Sequence, residues 1–241
     1  MKIKLNQENL KLIACGTMLI DHFAAVILLS MFPRTRNVVE LYYILRIIGR
    51  LAFPIYCFLL VEGAHYTRNP KKYALRMAIG AVLSEIPYDL AFYGGWTLEN
   101  QSVMITLLLG FGALEAMKRC PKLWQMLLVW IPFALVAELL HTDYGADGVA
   151  LMALFALTRD LPRRWLCQAL GIWLIFSPNH LMLLNWMNGF SWTIQEHAIL
   201  AILPIALYSG EKRSQSKALQ WAFYLFYPVH LLVLYLVWRL M

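Results

Sequence analysis

Nine apolar runs separated by short polar loops constrain this chain more than any other feature. They fall at about 9–32, 38–66, 72–93, 102–118, 122–140, 145–158, 164–177, 194–209 and 218–240. A helix needs about 20 apolar residues to cross the hydrocarbon of a bilayer. Composition excludes the soluble alternative: 61% of the residues are hydrophobic and 15% charged, against about 45–50% and about 25% in soluble domains. A chain of 241 residues has too little interior to hide that excess. The expected fold is all-α, a polytopic transmembrane helical bundle of about nine (eight to ten) helices in one domain, residues 1–241, with no room for a separate soluble part. Runs six and seven are short for full crossings, so they are tilted, broken or buried in protein. Residues 178–193 read as a short interfacial or re-entrant piece.

The net charge of +7 would suit nucleic acid if the basic residues formed a patch. They lie instead in alternate loops: Lys2 and Lys4; Arg68, Lys71 and Lys72; Lys118, Arg119 and Lys122; Arg159, Arg163 and Arg164; Lys212, Arg213 and Lys217. Of the intervening loops only the first is basic, with Arg34 and Arg36. Basic residues mark cytoplasmic loops, so the N-terminus is expected in the cytoplasm and the C-terminus outside. The first run carries Lys11, Asp21 and His22 and no small-residue cleavage site, so it reads as a retained helix. The cysteines (15, 57, 120 and 167) show neither CxxC nor metal-type spacing and are expected to be buried free thiols. No metal site is expected.

Ionisable groups inside apolar runs are costly and point to function. Here they are Lys11, Asp21 and His22 on run one; Arg46, Arg50, Glu62 and His65 on run two; Arg76, Glu85 and Asp89 on run three; Glu115, Glu138 and His230 on runs four, five and nine. His22 follows Lys11 by eleven residues, about 16.5 Å along the axis and about 20° around it. The two share a face, with His22 near mid-membrane. Arg50, Glu85 and His230 are similarly deep. Pro54, Pro87 and Pro228 each remove one helical hydrogen bond and free the carbonyls of Arg50, Leu83 and Tyr224. The plainer alternative for Arg50 is a structural ion pair with Glu85 or Asp89. Glu115 and Arg119 read as a surface helix pair. His65, His141, His180 and His197 lie nearer the surfaces. The loop H-T-D-Y-G-A-D-G (141–148), with Asp147 as a cap, faces outward on the side where Gln101, Ser102 and Thr106 begin run four.

The segments L-K-x-x-A-x-x-x-M-x-I-D-H (10–22), I-I-G-R-L-A-F-P (47–54), V-E-G-A-H-Y-T-R-N (61–69), R-M-A-I-G-A-V-L-S-E-I-P-Y-D-L (76–90), T-D-Y-G-A-D-G-V (142–149) and F-Y-P-V-H (226–230) together resemble the TraX family. They stand in family order over nearly the whole chain. The sequence departs from the family pattern at Gln101-Ser102, where Gln-Asn is expected. The family is typified by an N-acetyltransferase of F-type pilin linked to conjugation. The Lys11-x10-His22 spacing also resembles the basic-x10-His motif of the broad integral-membrane acyltransferases.

These resemblances imply an acetyl-CoA-dependent N- or O-acyltransferase in the bacterial inner membrane. The acceptor would be a peptide amine or a sugar hydroxyl. His22 is implied as catalytic base, with Asp21, Arg50, Glu85 and His230 lining the site. Lys11, Arg46, Arg68, Lys71, Lys72 and Arg76 would contact acyl-CoA from the cytoplasm. The acceptor would enter past Gln101, Asp143, Tyr144 and Asp147. Arg50 would stabilise the oxyanion, and Glu85 would orient Arg50 or His230. Two rivals share the same residues: a transporter of a small polar solute, and a non-catalytic part of a conjugation or secretion apparatus. The sequence leaves the acyl chain length and the oligomeric state open.

Overall fold

The computed structural model describes residues 4–28, 30, 32–33, 35–177, 194–211 and 216–241. Residues 178–193, read above as interfacial or re-entrant, lie outside the described residues, as do Lys2, Arg34, His180, Lys212 and Arg213. Among the described residues the protein is all-α, in nine helical segments that follow the nine apolar runs. Helix α1 (Gln7–Phe23) continues into a π-helical turn, Ala24–Leu28. Helices α2 (Arg36–Gly49) and α3 (Ala52–Tyr66) form the second segment, and α4 (Pro70–Tyr93) and α5 (Val103–Met117) the third and fourth. The fifth is α6 (Leu123–Val129) with α7 (Ile131–Leu139). Then come α8 (Gly145–Thr158), α9 (Arg164–Phe176), a 3-10 helix (Ile194–Ala201) running into α10 (Ile202–Ala206), and α11 (Lys217–Leu240).

Local chemistry sets the ends. The Asn6 side chain accepts from the Asn9 N–H at 2.9 Å, and Asn69 accepts from the Lys72 N–H at 3.0 Å with Pro70 in the first turn. Both are N-caps that satisfy helix-start donors. Gly94 ends α4 in the left-handed region at φ 70°. Helix α7 ends in a Schellman motif: the Thr142 N–H reaches the Ala137 carbonyl and the His141 N–H that of Glu138, each at 3.0 Å. His141 holds the left-handed position there, at φ 49°. Helix α2 gives way to α3 at Arg50-Leu51, one turn before Pro54. Pro87 and Pro228 lie inside unbroken helices.

Large apolar side chains are exposed over much of the surface as well as buried in the core. On α4 an apolar stripe of Leu75, Ile79, Val82 and Ile86 is exposed, with Val82 at 73%. The opposite face buries Met77, Ala81, Tyr88 and the polar Ser84, the last at 0%, and Asp89 near the helix end is buried at 1%. Apolar groups outside and polar groups inside suit a hydrocarbon surround, where buried polar groups must find partners within the protein. Among the described residues three segments are long and apolar enough to cross a membrane: Gln7–Leu28, Arg36–Tyr66 and Trp221–Leu240. This is a membrane protein.

The chain divides into two compact units, Met1–Tyr56 with Thr158–Arg213, and Cys57–Leu157 with Ser214–Met241. In the first, α1 packs on α2, and the 3-10 helix packs on both α2 and α9. Its N-terminal strand-like residue Leu5 bonds the backbone of Leu207 and Ser209, each at 2.9 Å. In the second, α4 packs between α5 and α11, and α5 also meets α6 and α7. Ala113, Ala134, Ala137 and Val149 form a core of small residues there, and Phe58 meets Phe155 edge-on at 5.8 Å. The cysteines are free thiols. Cys15 and Cys57 are buried as expected, but Cys120 is half-buried and Cys167 exposed, on the outward face of α9.

Gly49 shows how close the first two segments lie: a Cβ there would overlap the Asp21 carboxylate. Gly49→Ala is expected to cost about 1–3 kcal/mol, as overpacking does, in equilibrium unfolding from mixed micelles. Gly16→Ala, which meets nothing within 4 Å, is expected to stabilise by up to about 1 kcal/mol, the helix preference for Ala over Gly. Equal effects at the two glycines would refute the close approach.

Candidate functional site

Helix α1 buries the stripe Leu10, Ala14, Met18 and Asp21, residues spaced to share one face. The stripe thus ends in a carboxylate 5% exposed. Two arginines from α2 and its C-terminal end meet it. Arg46 Nη1 donates to Asp21 Oδ2 at 2.5 Å, and Arg50 Nη2 donates to Oδ1 and Oδ2 at 2.6 and 2.7 Å. Arg50 stands at the break between α2 and α3, in the residue that caps α2, which turns its side chain toward Asp21. Its Nη1 donates to Gln195 Oε1 of the 3-10 helix at 2.9 Å. The result is a chain of four polar side chains, Arg46–Asp21–Arg50–Gln195, inside an apolar unit.

Lys11, Cys15, Met18 and His22 form the neighbouring stripe of α1. Lys11 and His22 are half-buried and share this face, as the spacing requires. Between them Cys15 Sγ lies 3.0 Å from Tyr56 Oη of α3. The π turn begins two residues after His22. Such turns widen a helix and recur at functional sites.

The second unit gathers a different set at one end. Glu85 of α4 accepts from both the N–H and the hydroxyl of Ser102, at 3.1 and 2.5 Å, and so caps the start of α5. Asp89 Oδ2 accepts from the Thr97 N–H at 3.1 Å, and Asp89 Oδ1 is buried with no partner among the described residues. Gln101 pairs with the 141–143 loop through two backbone bonds: its N–H reaches the His141 carbonyl at 3.1 Å, and the Asp143 N–H reaches its carbonyl at 2.9 Å. Its side chain turns back to the Leu98 carbonyl at 3.0 Å. Thr106 Oγ1 bonds Thr142 Oγ1 at 3.0 Å and the Asp143 carbonyl. Glu138 accepts from the Ala146 N–H at 3.1 Å. The phenols of Tyr88 and Tyr227 lie within electrostatic reach of both Glu85 and Asp143. Tyr144 is half-buried, in the left-handed region at φ 66°. Asp147 is exposed in the first turn of α8, inside the helix rather than at its cap.

His230 of α11 is buried, stacked on Phe226 at 4.7 Å, with Nδ1 2.6 Å from the Phe226 carbonyl. A carbonyl only accepts, so Nδ1 carries the proton in the neutral ring and Nε2 is the basic nitrogen. At the other end of the unit, Arg68, Lys71 and Lys72 are exposed around the N-terminus of α4. Lys118 joins that end by donating to the Ala64 carbonyl at 2.6 Å. Arg76 lies over the Tyr73 ring at 5.6 Å.

The structure therefore brings Asp21, Arg46 and Arg50 together, keeps Lys11 and His22 on one face, and joins Gln101 to Asp143. Glu85 and His230 belong to the second unit. Two pairings differ from the sequence reading. Arg50 forms an ion pair with Asp21, where the plainer alternative offered Glu85 or Asp89; Asp21 is the carboxylate on the helix packed against α2. Glu115 pairs with Lys118, where Arg119 was expected, because the chain leaves the helix at Lys118. Gln195, Tyr56, Tyr88 and Tyr227 were missed. Tyr88 and Tyr227 stand in the proline motifs quoted above; Gln195 and Tyr56 carry no sequence signal. Among the described residues no group of three or more His, Cys, Asp or Glu is arranged to hold a metal ion.

Fold and site define a membrane-embedded all-α protein with ion-paired and hydrogen-bonded groups in its interior. The model of the family described as TraX protein matches residues 6–238. A relative from Dichelobacter nodosus, named "Probable fimbrial assembly protein FimC, serogroup H1", is 31% identical over 247 residues, covering 94% of this chain and 93% of its own. No solved structure matches. The chain belongs to the TraX family.

Removing one member of a buried ion pair strands the other. Asp21→Ala leaves two guanidinium groups without their carboxylate and is expected to cost about 3–5 kcal/mol in the same micelle unfolding. Glu115→Ala, at a partly exposed pair, is expected to cost about 1 kcal/mol or less. An Asp21→Ala protein as stable as wild type would show that the arginines do not depend on Asp21.

Proposed function

We propose that this protein is an integral-membrane acyltransferase that moves an acetyl group from cytoplasmic acetyl-CoA to an amine or hydroxyl at the outer side. The observation that carries this reading is the TraX match over residues 6–238. The buried polar chain around Asp21 and the half-buried His22 support it, since both are costly in a membrane unless used. The same reading takes residues 1–241 as one multi-pass domain of the bacterial inner membrane, with nine crossings, the N-terminus inside and the C-terminus outside. The bonds within each unit suit that sidedness. Leu5 meets Tyr208, both on the expected cytoplasmic side, and Gln101 meets Thr142, both on the expected outer side. Lys118 likewise joins the loop after α5 to the end of α3.

The relative's name speaks of fimbrial assembly, which favours a pilin-like protein, presented at its N-terminus, among the candidate acceptors. The exposed Arg68, Lys71 and Lys72 suit the phosphates of acetyl-CoA, and Lys11 suits a contact further along the arm. Arg46 is engaged with Asp21, so its contribution to donor binding runs through that carboxylate.

His22 takes the proton from the acceptor N–H or O–H. The acceptor atom bonds to the thioester carbonyl carbon, the C–S bond breaks, and the proton on His22 passes to the departing sulfur, giving free CoA. General-base help of this kind is worth about 10²–10⁴-fold in rate. Fixed positive charge from Arg50 is worth more in a dry site than in water. Glu85 fixes the start of α5 and with it the Gln101–Asp143 loops.

In nanodiscs with acetyl-CoA and a simple amine, His22→Ala is expected to abolish release of free CoA while leaving the unfolding midpoint unchanged. Wild-type turnover by this variant would sink the base assignment. Solute flux with no acetyl-CoA binding would favour a transporter. Lys11→Ala is expected to raise KM for acetyl-CoA with kcat little changed, the signature of lost uniform binding. An unchanged KM would reject the CoA contact.

A further inference from the structure

The hydrogen bonding of Gln195 is half made. Its Oε1 accepts from Arg50 Nη1. A guanidinium only donates, so this bond fixes the amide with Oε1 toward Arg50 and Nε2 away from it. Nε2 is buried and has no acceptor among the described residues. A buried donor left without a partner is a cost in the resting protein and calls for an explanation. Arg50 Nη2 holds both oxygens of Asp21 and Nη1 holds Gln195. The charged bond to Oε1 also draws electron density from the amide and strengthens Nε2 as a donor. An oriented, polarised donor shielded from water suits an oxygen that gains negative charge during a reaction.

We propose that Gln195 Nε2 donates to the acyl carbonyl oxygen as it becomes negative, and that Arg50 is the positioning residue behind it. This rests on the acyltransferase reading and changes which group meets the oxyanion. When the acceptor atom bonds to the carbonyl carbon, the carbonyl π pair moves onto oxygen, where the Gln195 N–H holds it. The pair returns as the C–S bond breaks. The acceptor's proton leaves through His22 to the sulfur, so the oxygen is never protonated and Gln195 donates without losing a proton.

Two substitutions separate donation from positioning. Gln195→Glu keeps an oxygen for Arg50 and removes the donor; Gln195→Met keeps the length and removes both. Each is measured in nanodiscs for acetyl-CoA binding, steady-state transfer, and the infrared carbonyl stretch of bound [1-13C]acetyl-CoA. In the wild type the bound carbonyl band is expected below that of free acetyl-CoA. In both variants it is expected to return toward the free value, with kcat down ~10²–10³-fold, the range for one lost oxyanion donor, and binding retained. A Gln195→Glu protein with the wild-type band and turnover overturns the donor assignment, whatever Gln195→Met does. A wild-type protein that binds no acetyl-CoA overturns the acyltransferase reading and this assignment with it.

Discussion

The pairing of Asp21 with Arg46 and Arg50 organises the first unit. Three charges removed from water are tolerable only when each finds a partner with good geometry, and here the single carboxylate serves both guanidinium groups. The requirement reaches the backbone. Gly49 must lack a side chain because the carboxylate occupies the space a Cβ would fill. The break at Arg50-Leu51, with Pro54 one turn on, frees the end of α2 to present Arg50. Arg50 in turn fixes the amide of Gln195. One carboxylate on α1 thereby sets the approach of α1 to α2 and, through Arg50, the orientation of a side chain 145 positions beyond that arginine.

In the second unit the carboxylates do different work. Glu85, Asp89 and Glu138 each accept from a backbone N–H at the start of a helix or in a loop. Helix N-termini leave donors that water would otherwise satisfy. Within a membrane the protein must supply the acceptors itself. These residues are therefore bound into the scaffold. Asp143 is placed by its backbone bond to Gln101, with the phenols of Tyr88 and Tyr227 within electrostatic reach.

Helices were legible because apolar runs need only composition to be seen. All nine runs became helical segments, with ends moved by a few residues where Asn6, Asn69 and Gly94 cap them. The shared face of Lys11 and His22 was legible too, since helical geometry fixes it. Partner choice was not. Spacing along one helix says which residues are neighbours on that helix, but nothing about which helix lies opposite. Arg50 could not be matched to Asp21 without knowing that α1 packs on α2. Gln195 was invisible for a related reason: it sits in a 3-10 turn, where the 3.6-residue periodicity that reveals a face no longer holds.

The charge distribution along α4 bears on why the proposed chemistry would need a long-armed donor. Its basic start and its carboxylates belong to opposite ends of one helix. From Lys72 to Asp89 the axis rises about 25 Å at 1.5 Å per residue, close to the roughly 30 Å of bilayer hydrocarbon. Phosphates held at the first end cannot stand beside an acceptor held at the second. A thioester on an extended arm reconciles the two: the charged part stays with the lysines and arginines while the reactive carbon travels inward. On the proposed reading, the α1 stripe that carries Lys11 and, about 16.5 Å further along the axis, His22 would repeat the same division between a binding end and a reacting depth. In this reading, length along a helix separates recognition from chemistry, and the membrane's thickness sets the distance between them.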